Sequence, residues 1–174
     1  MALSLHAATV QSYLQTLDAV SGILDKGLAY CRDNQIDPEV IVDTRLYPNM
    51  RPFRFQIQSI AHHSAGAIDA VRNGAFQPPN AEAQQDYAGL QALIADARAR
   101  TAKATPAEVD ACENRDIIFA IGEHKWHFTG ADFLLSFSLP NFYFHATTAY
   151  DILRSKGVPL GKRDYIGAVR WTKL

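Results

Sequence analysis

Residues 138–157 read SLPNFYFHATTAYDILRSKG and place Asn141 and His145 inside a run that is otherwise mostly apolar. The pattern predicts a long last helix that bends at Pro140 and ends at Gly157. Apolar side chains cover most of the circumference of this helix, so it is expected to be largely buried. The two polar residues therefore need an explanation.

One face of this helix carries the polar residues. Asn141, His145 and Thr148 recur at helical spacing, which places them on the same side. A buried imidazole without a hydrogen-bond partner costs about 1–3 kcal/mol. We therefore expect a polar group on another helix to face His145.

The second predicted helix offers a candidate for this partner. It spans about residues 53–72 and stops at the Asn-Gly pair that follows. Within FQIQSIAHHSAGAIDAV, His63 lies at the edge of the apolar stripe with Gln56, Ser59 and two alanines, and these small neighbours permit close approach of another helix. His62 points away from the stripe and is expected to be exposed to solvent. The sequence thus predicts His63 as the inward histidine.

Two further helices complete the predicted helical part of the chain. Ser4 can cap a first helix over about residues 5–32, whose inward stripe includes Tyr13. Asn80 is expected to cap a third helix that ends near residue 102.

The segment between the third and last helices has a different character. TPAE at 105–108 is a capping box, and alternating apolar residues over 116–129 predict a β-hairpin. The tail, 157–174, is expected to wrap the surface. Together these patterns predict an all-α-dominated fold, a four-helix bundle with a small β-hairpin inserted between helices 3 and 4, in a single domain of residues 1–174.

The composition narrows the classes of function. The chain has 174 residues, of which 48% are hydrophobic and 20% charged, as in an ordinary globular protein. Its net charge of -1 and the absence of a long basic run argue against a nucleic-acid partner. No apolar segment is long enough for a membrane span, and the start lacks a signal-peptide pattern, so we expect a cytoplasmic protein without a membrane partner. Cys31 and Cys112 form no CxxC pair and are expected to be reduced thiols.

Two stretches resemble a known family. PNFYFHATTAYDILRSKGVPLGKRDYIG (140–167), together with RLYPNMRPFRFQIQ (45–58), is similar to a domain-of-unknown-function family of the DinB/YfiT-like metalloenzyme superfamily. The resemblance implies a four-helix bundle that is often dimeric, with a metal held by one histidine of the second helix and an HxxxH pair of the last. In this chain His63 takes the second-helix position and His145 the second position of the pair, whereas Asn141 replaces the first histidine.

Two kinds of function remain open at this point. In the first, as the resemblance implies, His63, Asn141 and His145 hold a divalent ion such as zinc or nickel in an atypical or vestigial site of a metal-dependent enzyme, of thiol-transferase or hydrolase type. In the second, the chain is a non-catalytic homodimer that binds a small molecule, and the same residues form a buried polar network. His6 on the first helix is a further candidate for closing the site. The residues expected to line the pocket are Thr148, Tyr13 and Ser59.

Overall fold

The computed structural model describes residues 3–79 and 84–171, which form a helix-dominated fold with one small sheet. The helices are α1 (Leu5–Asp33), α2 (Glu39–Val42), α3 (Phe53–Ala61), α4 (Ala67–Asn73), α5 (Tyr87–Thr101), α6 (Pro106–Asp110), α7 (Gly130–Asp132), α8 (Leu139–Ser155) and α9 (Lys162–Ile166). Two π-helical segments join consecutive helices, and they are His62–Gly66 between α3 and α4 and Phe133–Ser138 between α7 and α8. The strands are β1 (Ala75–Phe76), β2 (Asp116–Ile121) and β3 (His124–Thr129).

The long helices share one apolar interior. α1 packs against α5 and α8, and α3 packs against the same two helices. Large, fully buried side chains such as Tyr13, Phe53 and Phe142 fill the space between them. Burial of these aromatic rings is the main favourable contribution to such a core. The predicted helix-dominated fold is confirmed.

The π-helical segments replace regular α-helical turns at two positions. Pro140 has no N–H, and in a regular α-helix its ring would crowd the carbonyl four residues earlier. The wider turns of residues 133–138 accommodate this ring, so the chain enters α8 through a π-helical segment where the sequence predicts a simple bend. In the first segment the Ser64 hydroxyl donates to the Ile60 carbonyl oxygen at 2.7 Å and competes with the backbone for this acceptor.

A buried chain of hydrogen bonds connects the two π-helical segments. Ser138 Oγ donates to the carbonyl oxygen of His63 at 2.8 Å, and the Tyr13 hydroxyl donates to Ser138 Oγ at 3.2 Å. Ser138 and Tyr13 are both fully buried. Because buried hydrogen bonds have no water to compete for them, this chain fixes the turn that carries His63 relative to α1 and the last helix.

The sheet covers one end of the helical body. β2 and β3 pair antiparallel, from Asp116 opposite Thr129 to Ile121 opposite His124, within the stretch where the sequence predicts a hairpin. β1, too short to be recognised from sequence, adds a parallel edge in which Phe76 lies opposite Phe119. The sheet therefore brings an aromatic surface against the helices.

Helix ends follow the expected local chemistry where the structure describes them. Ser4 Oγ accepts from the N–H of Ala7 and caps α1. α5 begins at Tyr87, with Asp86 as its cap. The predicted cap, Asn80, lies outside the described residues.

The end of α8 is a Schellman motif. Gly157 has a φ of 95°, and the N–H of Val158 donates to the carbonyl of Leu153 at 3.1 Å. The tail then forms α9, which packs on α1 and is tied to it by the Lys26–Asp164 ion pair at 2.6 Å.

Two further features are the character of the helices relative to a membrane and the state of the cysteines. Among the helices of the described residues, none combines the length and apolar character needed to cross a bilayer. Cys31 and Cys112 are both buried, free thiols.

Two glycines of α1 provide a test of its packing on α5. A Cβ at Gly27 would overlap the hydroxyl of Tyr87, which donates to the Leu24 carbonyl oxygen at 2.8 Å. Gly27→Ala must displace that buried ring, so the free energy of unfolding should fall by about 1–3 kcal/mol. Gly22 has open space around its Cβ position, and Gly22→Ala should raise the same quantity by about 0.5–1 kcal/mol because alanine favours the helix. Urea unfolding of both variants measures this, and equal effects would contradict the packing described.

Candidate functional site

Two histidines from different helical segments meet in the interior. His63 belongs to the first π-helical segment and His145 to α8, and their ring centroids lie 6.0 Å apart with the planes 19° from parallel. His63 is only 6% exposed, and His145 is half-buried. The proximity expected from sequence is therefore present, and both rings can contact one small ligand.

A glutamine fixes the protonation pattern of His145. The Gln56 side chain donates from Nε2 to the Arg51 carbonyl oxygen at 2.9 Å, so its Oε1 must face the other way. That oxygen lies 2.7 Å from Nδ1 of His145. Since a carbonyl oxygen only accepts, Nδ1 of the neutral imidazole carries the proton and Nε2 keeps its lone pair.

Asn141 is fixed by a similar constraint. Its Nδ2 donates to the carbonyl oxygen of Phe137 at 2.7 Å, one turn earlier along the chain. The reversed amide would bring two acceptor oxygens together, so Oδ1 is the end that remains for a ligand. Asn141 thus presents an acceptor beside the two imidazoles.

These residues form the polar part of a cavity of about 300 Å³. The polar residues of its lining are Ser59, His63, Asn141 and His145. The apolar residues of its lining are Phe55, Phe76, Pro78, Pro79, Phe119, Ile121 and Phe137. Apolar walls with a few convergent polar groups are typical of small-molecule sites.

The predicted lining is only partly seen. Ser59 lines this cavity, whereas Thr148 and Tyr13 are not among its lining residues. The Thr148 hydroxyl donates to the Phe144 carbonyl oxygen of its own helix at 2.8 Å. The Tyr13 hydroxyl bonds to Ser138. Both hydroxyls therefore serve the helical framework instead of the pocket.

Burial keeps both imidazoles neutral. Desolvation, with smaller contributions from His62 and His145, lowers the pKa of His63 from 6.5 to about 3. Desolvation lowers the pKa of His145 from 6.5 to about 4. Apart from these imidazoles, no described residue of the lining is acidic or basic. The described lining of the cavity is therefore uncharged near neutral pH.

Two polar atoms of the cavity residues have unused hydrogen-bonding capacity. Ser59 Oγ and His63 Nδ1 are buried, and neither has a hydrogen-bond partner within residues 3–79 and 84–171. Leaving such groups unsatisfied costs about 1–3 kcal/mol each. A water or ligand in the cavity would offset that cost.

The donor set does not fit a catalytic zinc centre. Such a centre uses three protein ligands and an open position, and the described residues contain no group of three histidine, cysteine or carboxylate side chains that could hold an ion. His63 and His145 supply two nitrogens, and Asn141 adds only a neutral amide oxygen. His6 is engaged elsewhere, since its Nε2 lies 3.1 Å from the Ala104 carbonyl oxygen.

The expectation for His62 is wrong. Its ring is half-buried and stacks on Phe76 with centroids 4.3 Å apart, and its Nε2 lies 2.6 Å from the Gln77 carbonyl oxygen. The segment after α4 folds back over this side of the helix and covers the ring. Helical periodicity describes one helix at a time, so it cannot predict that a segment distant from that helix face will bury a residue on it.

Sequence reasoning missed two parts of the site. Helical spacing places Gln56 on the side of His63 and Ser59, but it does not identify Gln56 as the hydrogen-bond partner of His145. Phe76 and Phe119 reach the cavity through the sheet. Nothing local in the sequence indicates that a two-residue strand brings them together.

Fold and site together define a helix-dominated domain with a two-histidine cavity closed by a small aromatic sheet. Residues 5–166 match DUF1993, described as a domain of unknown function, and the chain belongs to this family. A crystal structure of a DinB family member protein from Shewanella denitrificans, at 1.83 Å resolution, is similar over 98% of this chain and 96% of that one, with 26% identity and a TM-score of 0.80. No curated protein matches the sequence. The predicted membership in a DinB-like family of unknown function is confirmed.

The neutral histidines predict a dependence of stability on pH. The unfolded chain binds protons at its imidazoles near pH 6.5, whereas the folded pKa values are about 3 for His63 and about 4 for His145. Between these values the unfolded state holds more protons, so the free energy of unfolding falls as pH falls. Each imidazole contributes up to about 1.4 kcal/mol per pH unit in that window.

Urea unfolding between pH 7 and pH 4.5 measures this slope. His145→Gln removes one titrating group and should flatten the slope, while His127→Gln on the exposed strand provides the matched control. The same slope for the wild type and His145→Gln would contradict the assigned burial.

Proposed function

We propose that the cavity between α3, the first π-helical segment, α8 and the sheet is the functional site, and that it binds a small, uncharged molecule. The observation that carries this proposal is an aromatic cavity whose lining includes Ser59 and His63, two residues with unpaired polar atoms. Ser59 Oγ and His63 Nδ1 have no partner among the residues that the structure describes, although both are buried. A ligand that pairs with either atom gains a hydrogen bond and removes a desolvation penalty.

The described residues of the lining are uncharged near neutral pH, which supports an uncharged ligand. An isolated ion moved into such a cavity loses its hydration and finds no opposite charge among the described lining residues. Apolar surface, by contrast, is stabilised by about 25 cal/mol for each Å² removed from water. Binding would therefore rest on apolar contact, with hydrogen bonds that orient the molecule.

The family resemblance supports a proposal for the oligomeric state and the compartment of the protein. A four-helix DinB-like bundle that pairs as a homodimer in the cytoplasm would present one such cavity in each subunit. The two buried thiols agree with a reducing compartment.

A weakly held divalent ion, zinc or nickel, is the second candidate. One observation favours it. The hydrogen bond to Gln56 leaves the Nε2 lone pair of His145 free, and a partner at Nδ1 is the usual arrangement for an imidazole that binds a metal. His63 and Asn141 would complete the set, and the ion would supply Lewis acidity to a bound substrate.

Calorimetric titration with naphthalene and indole as neutral probes tests the binding function. We expect one molecule of probe per chain for the wild type and loss of binding in Ser59→Leu, which fills the polar floor of the cavity. Ser155→Leu, on an exposed position of α8, is the matched control and should bind as the wild type does.

Metal analysis of untagged protein separates the two candidates. Failure of both probes, combined with stoichiometric zinc or nickel that disappears in His63→Ala and His145→Ala, would overturn the small-molecule proposal in favour of the ion.

A further inference from the structure

The polar groups of the cavity have a fixed hydrogen-bonding sense. The chain from the Arg51 carbonyl through the Gln56 amide to His145 Nδ1 leaves Nε2 as an acceptor. His145 lines the cavity and Gln56 does not, which favours the Nε2 edge as the edge of the ring that faces the cavity. The cavity therefore contains an acceptor whose role does not depend on the ligand.

A second acceptor lies one helical turn away. Asn141 uses its Nδ2 on the Phe137 carbonyl, and its Oδ1 has no other partner among the described residues. Ser59 and His63 can each donate or accept, because a hydroxyl rotates and a neutral imidazole has two tautomers. The fixed members of the set, His145 and Asn141, thus both require a donor.

The walls of the cavity favour a flat aromatic molecule. The rings of Phe119 and Phe137 lie 4.8 Å apart, and Phe76 packs on Phe119 at 5.8 Å. Aromatic pairs at such distances gain energy beyond burial when a ring lies edge-on or offset. An engineered cavity of about 150 Å³ binds benzene, so a volume of about 300 Å³ suits a molecule of roughly two fused rings.

The same groups disfavour other ligand classes. A carboxylate or phosphate would meet two acceptors, and the described lining offers no cation to compensate its charge. A fully apolar molecule would leave both acceptors without a partner. An ether or ketone adds further acceptors and leaves the same deficit.

We infer that the ligand of this cavity is a neutral, planar aromatic molecule of about two rings that carries one O–H or N–H donor, of the phenol or indole class, with its donor directed to His145 Nε2 and Asn141 Oδ1. This inference rests on the proposed binding function and adds that the ligand donates the hydrogen bond and the protein accepts it.

Three matched probes test the donor requirement at pH 7: 2-naphthol, its methyl ether 2-methoxynaphthalene, and naphthalene. We expect 2-naphthol to bind about three- to tenfold more tightly than the other two, the range that one hydrogen bond provides. His145→Phe keeps an aromatic ring but removes the acceptor, so 2-naphthol should lose its advantage over naphthalene and 2-methoxynaphthalene in this variant. His127→Phe, on the exposed strand, should retain the preference.

The outcomes distinguish this inference from the proposal beneath it. Equal affinity for all three probes, or a preference for 2-naphthol that survives in both His145→Phe and Asn141→Leu, would overturn the donor requirement and leave an apolar binding cavity. Asn141→Leu also serves as the reporter if His145→Phe does not fold. Absence of binding by all three probes would remove the binding function itself, and the inference with it.

Discussion

The hydrogen bond between His145 and Gln56 is the constraint on which the site depends. A backbone carbonyl, that of Arg51, orients the glutamine, and the glutamine in turn orients the imidazole. Because the first member of this chain belongs to the backbone, the sense of each bond is set by the fold. The imidazole remains neutral with Nε2 as its acceptor, and His145 lines an aromatic cavity whose described lining has no carboxylate, lysine or arginine.

The helical framework holds the second imidazole by a separate network. The bond from Ser138 to the His63 carbonyl joins the two π-helical segments, and Tyr13 extends it to α1. π-helical turns expose backbone groups that a regular helix would use internally, and they occur often at functional positions. Here they place a histidine and its supporting serine from different helices in direct contact, so the cavity and the core form one packing unit.

Much of the helical framework is predictable from the sequence because it depends on local patterns. The start of α1 at Ser4, the stop of α4 at Gly74 and the capping box at Thr105 all follow from residues adjacent to the helix ends. The inward position of His63 follows from helical spacing and from small neighbours. These features need no knowledge of the rest of the chain.

The remaining features depend on contacts that are distant in sequence. The segment after α4 contacts His62 and shields its ring from solvent. Thr148 bonds to a carbonyl of its own helix, although its spacing alone predicts a residue that lines the pocket. The exposure of Trp126 also depends on how the sheet packs on the helices. The residue is 45% accessible, and its ring stacks on Phe119. Periodicity identifies a face of an element, but the neighbour of that face is decided by tertiary packing.

The protonation state of His145 is the most direct test of this account. Nitrogen-15 NMR of the imidazole at pH 7 separates the two neutral tautomers and the charged ring. The account predicts a neutral ring with its proton on Nδ1 and an unprotonated Nε2. A proton on Nε2, or a charged imidazole, would contradict the orientation of Gln56 and the acceptor character of the cavity.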